Sequence, residues 1–150
     1  GQRGNRCLRR SEGAANMTLK LVPERNVDNL ERALAFYVDL AGFRIRYQRP
    51  EDRFAYIERD GAELMMEETF GPGRRWHPAP LEHPYGRGIN FQIETTNLTE
   101  LYTRLREADC PFVLDLEEKW YRVGDHDEGQ RQFVVVDPDG YLLRFCENID

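Results

Sequence analysis

Few residues in this chain are able to carry covalent or metal chemistry. Its three histidines are His77 and His83, six apart among Pro78, Pro80 and Pro84, and His126 in Gly124-Asp125-His126-Asp127-Glu128. A proline-rich loop does not fix ligand geometry, so the first pair reads as surface histidines rather than metal ligands. Asp125-His126-Asp127 has the form of a histidine flanked by carboxylates, but no serine or cysteine nucleophile accompanies it, and Ser11 lies in an unpatterned N-terminal stretch. Cys7, Cys110 and Cys146 are an odd number without metal-ligand spacing, the usage of reduced thiols in a cytoplasmic protein. The expectation is a chain with no catalytic residue, no metal and no cofactor.

Binding chemistry is better represented. Trp120-Tyr121-Arg122 sets two large rings beside a guanidinium, and Phe54, Tyr56 and Trp76 supply further aromatic walls. Rings offer planar or cationic ligands stacking and cation–π contacts worth about 0.5–2 kcal/mol each. The same rings also serve as ordinary core residues of strands, and composition does not separate the two roles. Alternation separates Trp120 from Tyr121, because neighbours in a strand point to opposite faces. A second guanidinium, Arg144, lies in Asp137-Pro138-Asp139-Gly140-Tyr141-Leu142-Leu143-Arg144-Phe145. Asp-Pro-Asp-Gly is turn chemistry, and the alternation that puts Leu143 and Phe145 in a core puts Arg144 on the other face.

These residues need strands to position them, and the pattern supplies two sets. Met17-Val22 reads as a first strand, followed by a helix opened by Asp28 and Glu31 at capping-box spacing and closed by Gly42. Phe43-Gln48, Phe54-Glu58 and Glu63-Glu68 read as strands, and residues 69–87 as an aperiodic linker rich in glycine and proline. The order then begins again with a strand at Gly88-Glu94 and a helix opened by Asn97 and Glu100. Asn29-Leu30 recurs as Asn97-Leu98, and Asp60-Gly61 returns as Asp139-Gly140 with a larger offset, which places an insertion around Val123-Arg131. The chain is therefore α+β, two tandem βαβββ modules over residues 17–68 and 88–150. Residues 1–16 are expected to be a flexible leader or an added extension.

With a helix on one face of each sheet, the opposite faces are expected to curve around one shared cup. Glu63, Met65 and Glu67 should face it from the first module, and Asn90, Gln92, Glu94, Leu142, Arg144 and Cys146 from the second. Ile89, Phe91 and Ile93 should lie under the second helix. Such a polar set suits a ligand with charged and hydrogen-bonding groups, or is the solvated side of a half-exposed sheet.

Composition agrees with a globular chain of 40% hydrophobic and 32% charged residues, and no apolar run has the length of a membrane span. The formal net charge is -6, with four arginines in residues 1–16 and -9 over the remainder. An acidic body disfavours nucleic acid and favours a cationic small molecule.

Val27-Asp28-Asn29 leading to Ala35-Phe36-Tyr37, then Leu40-Ala41-Gly42-Phe43, and the Asp137-Pro138-Asp139-Gly140 hairpin resemble the vicinal oxygen chelate superfamily, the glyoxalase and bleomycin-resistance group, over residues 17–150. In its metal-dependent members the ligands are His, Glu or Gln at four strand positions, which by the resemblance fall here on Val22, Met65, Gly88 and Arg144. None of these supplies a hard-metal donor. The resemblance thus implies a bleomycin-resistance-type homodimer, conferring antibiotic resistance by sequestering a bulky cationic or aromatic molecule without metal or turnover. The ligand would be a bleomycin-like antibiotic or a planar cation. The expected ligand-binding residues are Phe54, Tyr56, Met65, Glu67, Asn90, Gln92, Trp120, Tyr121, Arg122 and Arg144. The alternative it implies is a glyoxalase-group isomerase or lyase with an altered metal site, in which Arg144 stabilises an enediolate or carboxylate and Glu67 or Glu94 is the base.

Overall fold

Strand propensity and helix capping combine here into two copies of one unit, seen in a computed structural model that describes residues 19–150. The first copy runs β1 (Glu24–Val27), α1 (Leu30–Leu34, continued as a wider turn over Ala35–Leu40), β2 (Arg44–Arg49), β3 (Phe54–Arg59) and β4 (Ala62–Glu68). The second runs β5 (Asn90–Glu94), α2 (Leu98–Glu107), β6 (Phe112–Val123), β7 (His126–Val136) and β8 (Leu142–Ile149). Each forms a four-stranded sheet of the same topology, β1-β4-β3-β2 and β5-β8-β7-β6, with one parallel pair beside two antiparallel ones. The α+β class and the tandem βαβββ units are as the sequence pattern predicts.

Helix α1 begins one residue later than the spacing suggests. Asn29, not Asp28, is the cap, its Oδ1 accepting the Arg32 amide at 2.7 Å. Its second half widens: the Ala41 amide reaches back five residues to the Phe36 carbonyl at 2.9 Å. That wider turn lets the adjacent rings of Phe36 and Tyr37 both enter the core, where they meet edge to face at 5.0 Å.

Both modules share one core. Leu30, Ile57 and Met66 from the first belong to the same buried cluster as Leu101, Phe133 and Phe145 from the second. The joint is tied by polar groups as well. The buried guanidinium of Arg25 (β1) donates to Tyr37 Oη and to Asp137 Oδ2 at 3.2 Å, and packs over the Tyr141 and Phe91 rings at 5.0 and 5.6 Å. Arg59 crosses in the other direction, donating to Thr95 Oγ1 and Asn97 Oδ1, each at 2.8 Å.

Four expectations change. The first strand is Glu24–Val27; Met17 and Thr18 lie outside the described residues, and residues 19–22 carry no strand. The parallel ladder to β4 starts only at the Glu24–Met65 pair, after Pro23. Gly88 and Ile89 precede β5, and Ile89 is exposed rather than under the helix. The Val123-Arg131 insertion is not a loop: β6 and β7 extend to twelve and eleven residues and pair as a ribbon that reverses at Gly124, whose φ is +66°. The fourth change concerns the cup: among the described residues, the outward faces of the two sheets carry hollows with separate linings.

Candidate functional site

Two separate hollows, one on each sheet, stand where a shared cup was expected. The sheet-two hollow has a volume of about 260 Å³ and is lined by Gln92, Tyr121, Val123, Glu128, Gln130 and Arg144. Register explains the convergence. Gln92 pairs with Arg144 across the parallel β5–β8 ladder, Val134 is opposite Arg144 on β7, and Tyr121 is opposite Glu128 on the ribbon. Leu143 and Phe145, on either side of Arg144, are fully buried, so the guanidinium is directed to the outer face.

Arg144 is held by amides. Its Nη2 donates to Gln92 Oε1 at 2.7 Å and its Nη1 to Gln132 Oε1 at 3.2 Å. Gln132 is buried beneath the floor and organises it, with Nε2 donating to Tyr121 Oη at 2.6 Å and to Glu117 Oε2 at 2.9 Å. Beside Arg144, Cys146 is fully buried and burial raises its thiol above the ordinary value, so it offers no ready thiolate.

The sheet-one hollow, of about 250 Å³, includes Glu24, Phe54, Glu67, Arg74 and Trp76 in its lining. Glu67 is bound to Arg75 at 3.3 Å; burial first, and the Glu24 charge second, hold its carboxyl above the usual carboxylate range. Arg49 lies over the Phe54 ring at 4.0 Å, and Arg74 over the Trp76 ring at 5.0 Å with that indole 70% exposed. This face has both acids and an accessible ring.

The sequence-predicted residues thus divide. Gln92, Tyr121 and Arg144 meet in one hollow, and Phe54 and Glu67 in the other. Tyr56 is buried instead of forming a wall, stacked on Tyr47 at 5.1 Å with its hydroxyl bonded to Glu63. Trp120 lies on the opposite side of the ribbon from Tyr121, over Gly129 beside Ile149, in a shallow groove near the C-terminus. Arg122 is exposed near the ribbon tip, Asn90 is exposed on β5, and Met65 is half-buried on β4; none of the three lines either hollow. Glu128, Gln130 and Gln132 were missed. Glu128 and Gln130 fall within the stretch expected to be an insertion, where no strand face is assigned, and Gln132 follows directly after it with no distinguishing pattern.

A divalent metal does not fit these residues. Met65 and Arg144 present a thioether and a guanidinium, Val22 and Gly88 precede their strands, and no group of three or more His, Cys, Asp or Glu side chains converges among the described residues. Glu67 and Arg144 occupy different hollows, so an acid–base pair between them is not formed within one chain. Among the described residues, no helix is long and apolar enough to cross a membrane.

Comparison with known proteins gives the same architecture. The model for the Glyoxalase/Bleomycin resistance protein/Dioxygenase superfamily matches residues 21–145. A bleomycin resistance protein of Geobacillus stearothermophilus is 24% identical over 140 residues, covering 87% of this chain and 98% of that protein. Among solved structures, TioX from Micromonospora sp. ML1 aligns with a TM-score of 0.66 at 22% identity, covering 88% of this chain and all of that one. A glyoxalase/bleomycin resistance protein/dioxygenase from Alicyclobacillus acidocaldarius aligns at 0.60 and 21% identity, over 87% and 91% of the two chains.

Proposed function

Because the chain belongs to the glyoxalase/bleomycin resistance protein/dioxygenase superfamily, we propose that it is a metal-independent, bleomycin-resistance-like binding protein that sequesters a bulky small molecule between two copies of itself. The observation that carries this reading is Arg144, fixed in an open hollow at the strand position where the resemblance implies a metal donor. A permanent positive charge there opposes a divalent ion and leaves hydrogen-bonding and stacking groups as the working parts of the site.

Size supports the second copy. Each hollow, at about 250–260 Å³, falls just below the roughly 300–1,000 Å³ typical of small-molecule pockets. Apposing sheet one of one chain to sheet two of another joins the Glu24, Phe54 and Trp76 face to the Tyr121 and Arg144 face. A two-fold dimer forms two such cups, in keeping with the self-complementary interfaces of homodimers. The acids and the exposed indole of sheet one suit the cationic or aromatic part of a ligand.

Calorimetric titration with bleomycin and a panel of planar cations, followed by mass analysis of the recovered ligand, tests the proposal. Saturable binding of one ligand per chain, with the ligand returned unchanged, is expected. No heat across the panel, or conversion of the ligand, overturns it.

A further inference from the structure

Among the described residues, six half-buried arginines differ in what neutralises them. Arg46, Arg53, Arg75 and Arg131 each meet a carboxylate, at 3.0, 2.5, 3.3 and 2.7 Å respectively. Arg104 donates its Nε to the Leu40 carbonyl at 2.8 Å, at the negative end of the first helix. Arg144 has neither arrangement. Among the described residues no carboxylate lies within ion-pairing distance of it, and its two partners are the neutral amide oxygens of Gln92 and Gln132. Glu128, the acid in the same hollow, is bonded to His126 Nε2 at 2.9 Å.

We infer that Arg144 is the receptor for an oxyanion on the ligand, a carboxylate or phosphate group, with Tyr121 as the second donor. The inference rests on the reading of the sheet-two hollow as a ligand site and names the chemistry of one end of that ligand. Gln92 and Gln132 take one N–H from each terminal nitrogen and so fix the plane of the guanidinium in advance, leaving its remaining N–H groups for a planar or tetrahedral oxyanion. Tyr121 Oη already accepts from Gln132, which leaves its own proton to donate into the hollow. A ligand bridging the two faces is therefore dipolar: a cationic or aromatic portion against Glu24 and Trp76, and an oxyanion against Arg144. The acidic body alone suggests only the first of these ends.

The test needs neither the natural ligand nor a complete cup, so its failure is separable from failure of the sequestration reading. Benzoate, phenyl phosphate, benzamide and benzamidine are titrated into the ¹⁵N-labelled protein, following the Arg144 Nε–H resonance assigned by its loss in Arg144→Lys. Saturating shifts from benzoate or phenyl phosphate, with neither benzamide nor benzamidine matching them, support the inference, and the stronger of the two names the oxyanion. Arg144→Gln, followed through backbone amides of β5 and β8 and checked for an unchanged melting temperature, should weaken that binding roughly tenfold or more. A match by benzamide, saturation by benzamidine at this resonance, no saturation by either oxyanion, or unchanged binding in folded Arg144→Gln overturns it.

Discussion

Asp137 and Arg25 meet at 3.2 Å between residues 112 positions apart, one opening the last hairpin of the second module and the other in the first strand of the first. The two oxygens of that carboxylate have separate tasks. Oδ1 accepts the amides of Asp139 and Tyr141, each at 2.9 Å, and shapes the turn, while Oδ2 receives Arg25 and the Tyr37 hydroxyl and fastens the modules together. The Asp-Pro-Asp-Gly sequence is thus a joint, which is why it identifies the fold and not the ligand. Asp137→Ala leaves a buried guanidinium uncompensated and should lower stability by about 3–5 kcal/mol in urea unfolding. A loss under about 1 kcal/mol would contradict the role of the joint.

The same turn restricts Gly140. Its φ is +88°, and a Cβ there would lie 2.3 Å from the Pro84 Cβ, so the segment after β4 seats directly on the turn. Gly140→Ala combines backbone strain with a clash that the proline ring cannot avoid. It should cost about 2 kcal/mol or more by thermal or urea unfolding. Gly61, with φ +92° and open space around it, carries only the backbone part, so Gly61→Ala should cost measurably less.

Burial of tyrosines gives an alkaline signature. Burial first pushes the Tyr141 and Tyr56 hydroxyls up to about 12, and burial likewise holds the Tyr37 hydroxyl well above the ordinary tyrosine value. The unfolded chain ionises near 10 and binds fewer protons than the native state from there upward, so stability is intact below about pH 10 and falls as pH rises toward 12. Ultraviolet titration should show these tyrosines ionising late. Tyr141→Phe should lessen the loss of stability between pH 10 and 12, and an identical pH slope would argue against the assignment.

Much of the fold was legible in the sequence because local signals agreed: the capping-box spacing that located both helices, to within one residue at Asp28 and at Asn97 itself, and the turns at Asp60-Gly61 and Asp139-Gly140. The first strand was misplaced because Met17-Val22 has strand composition, whereas pairing begins after Pro23 and depends on β4, a long-range partner that composition does not reveal. Alternation placed Arg144 and Gln92 on the outer face, and the structure brings them together. It did not reveal that Tyr47 stacks over Tyr56, nor that the two outer faces form separate hollows within a chain, since both depend on tertiary packing. Gln132 was invisible for a related reason: a buried amide that binds Arg144, Tyr121 and Glu117 looks like any strand glutamine in the sequence.

The central claim, that one site is built from two copies, is tested most directly by mixing two crippled chains. One carries Glu24→Arg and Trp76→Ala on sheet one, the other Arg144→Glu on sheet two. Each alone should fail to bind the ligand that titrates the unaltered protein. After unfolding and joint refolding, half of the dimers are mixed and each of these has one intact cup, so about a quarter of the original binding capacity should return at the original affinity. No recovery in refolded, dimeric mixtures, or full binding by either altered chain alone, would contradict the two-copy site.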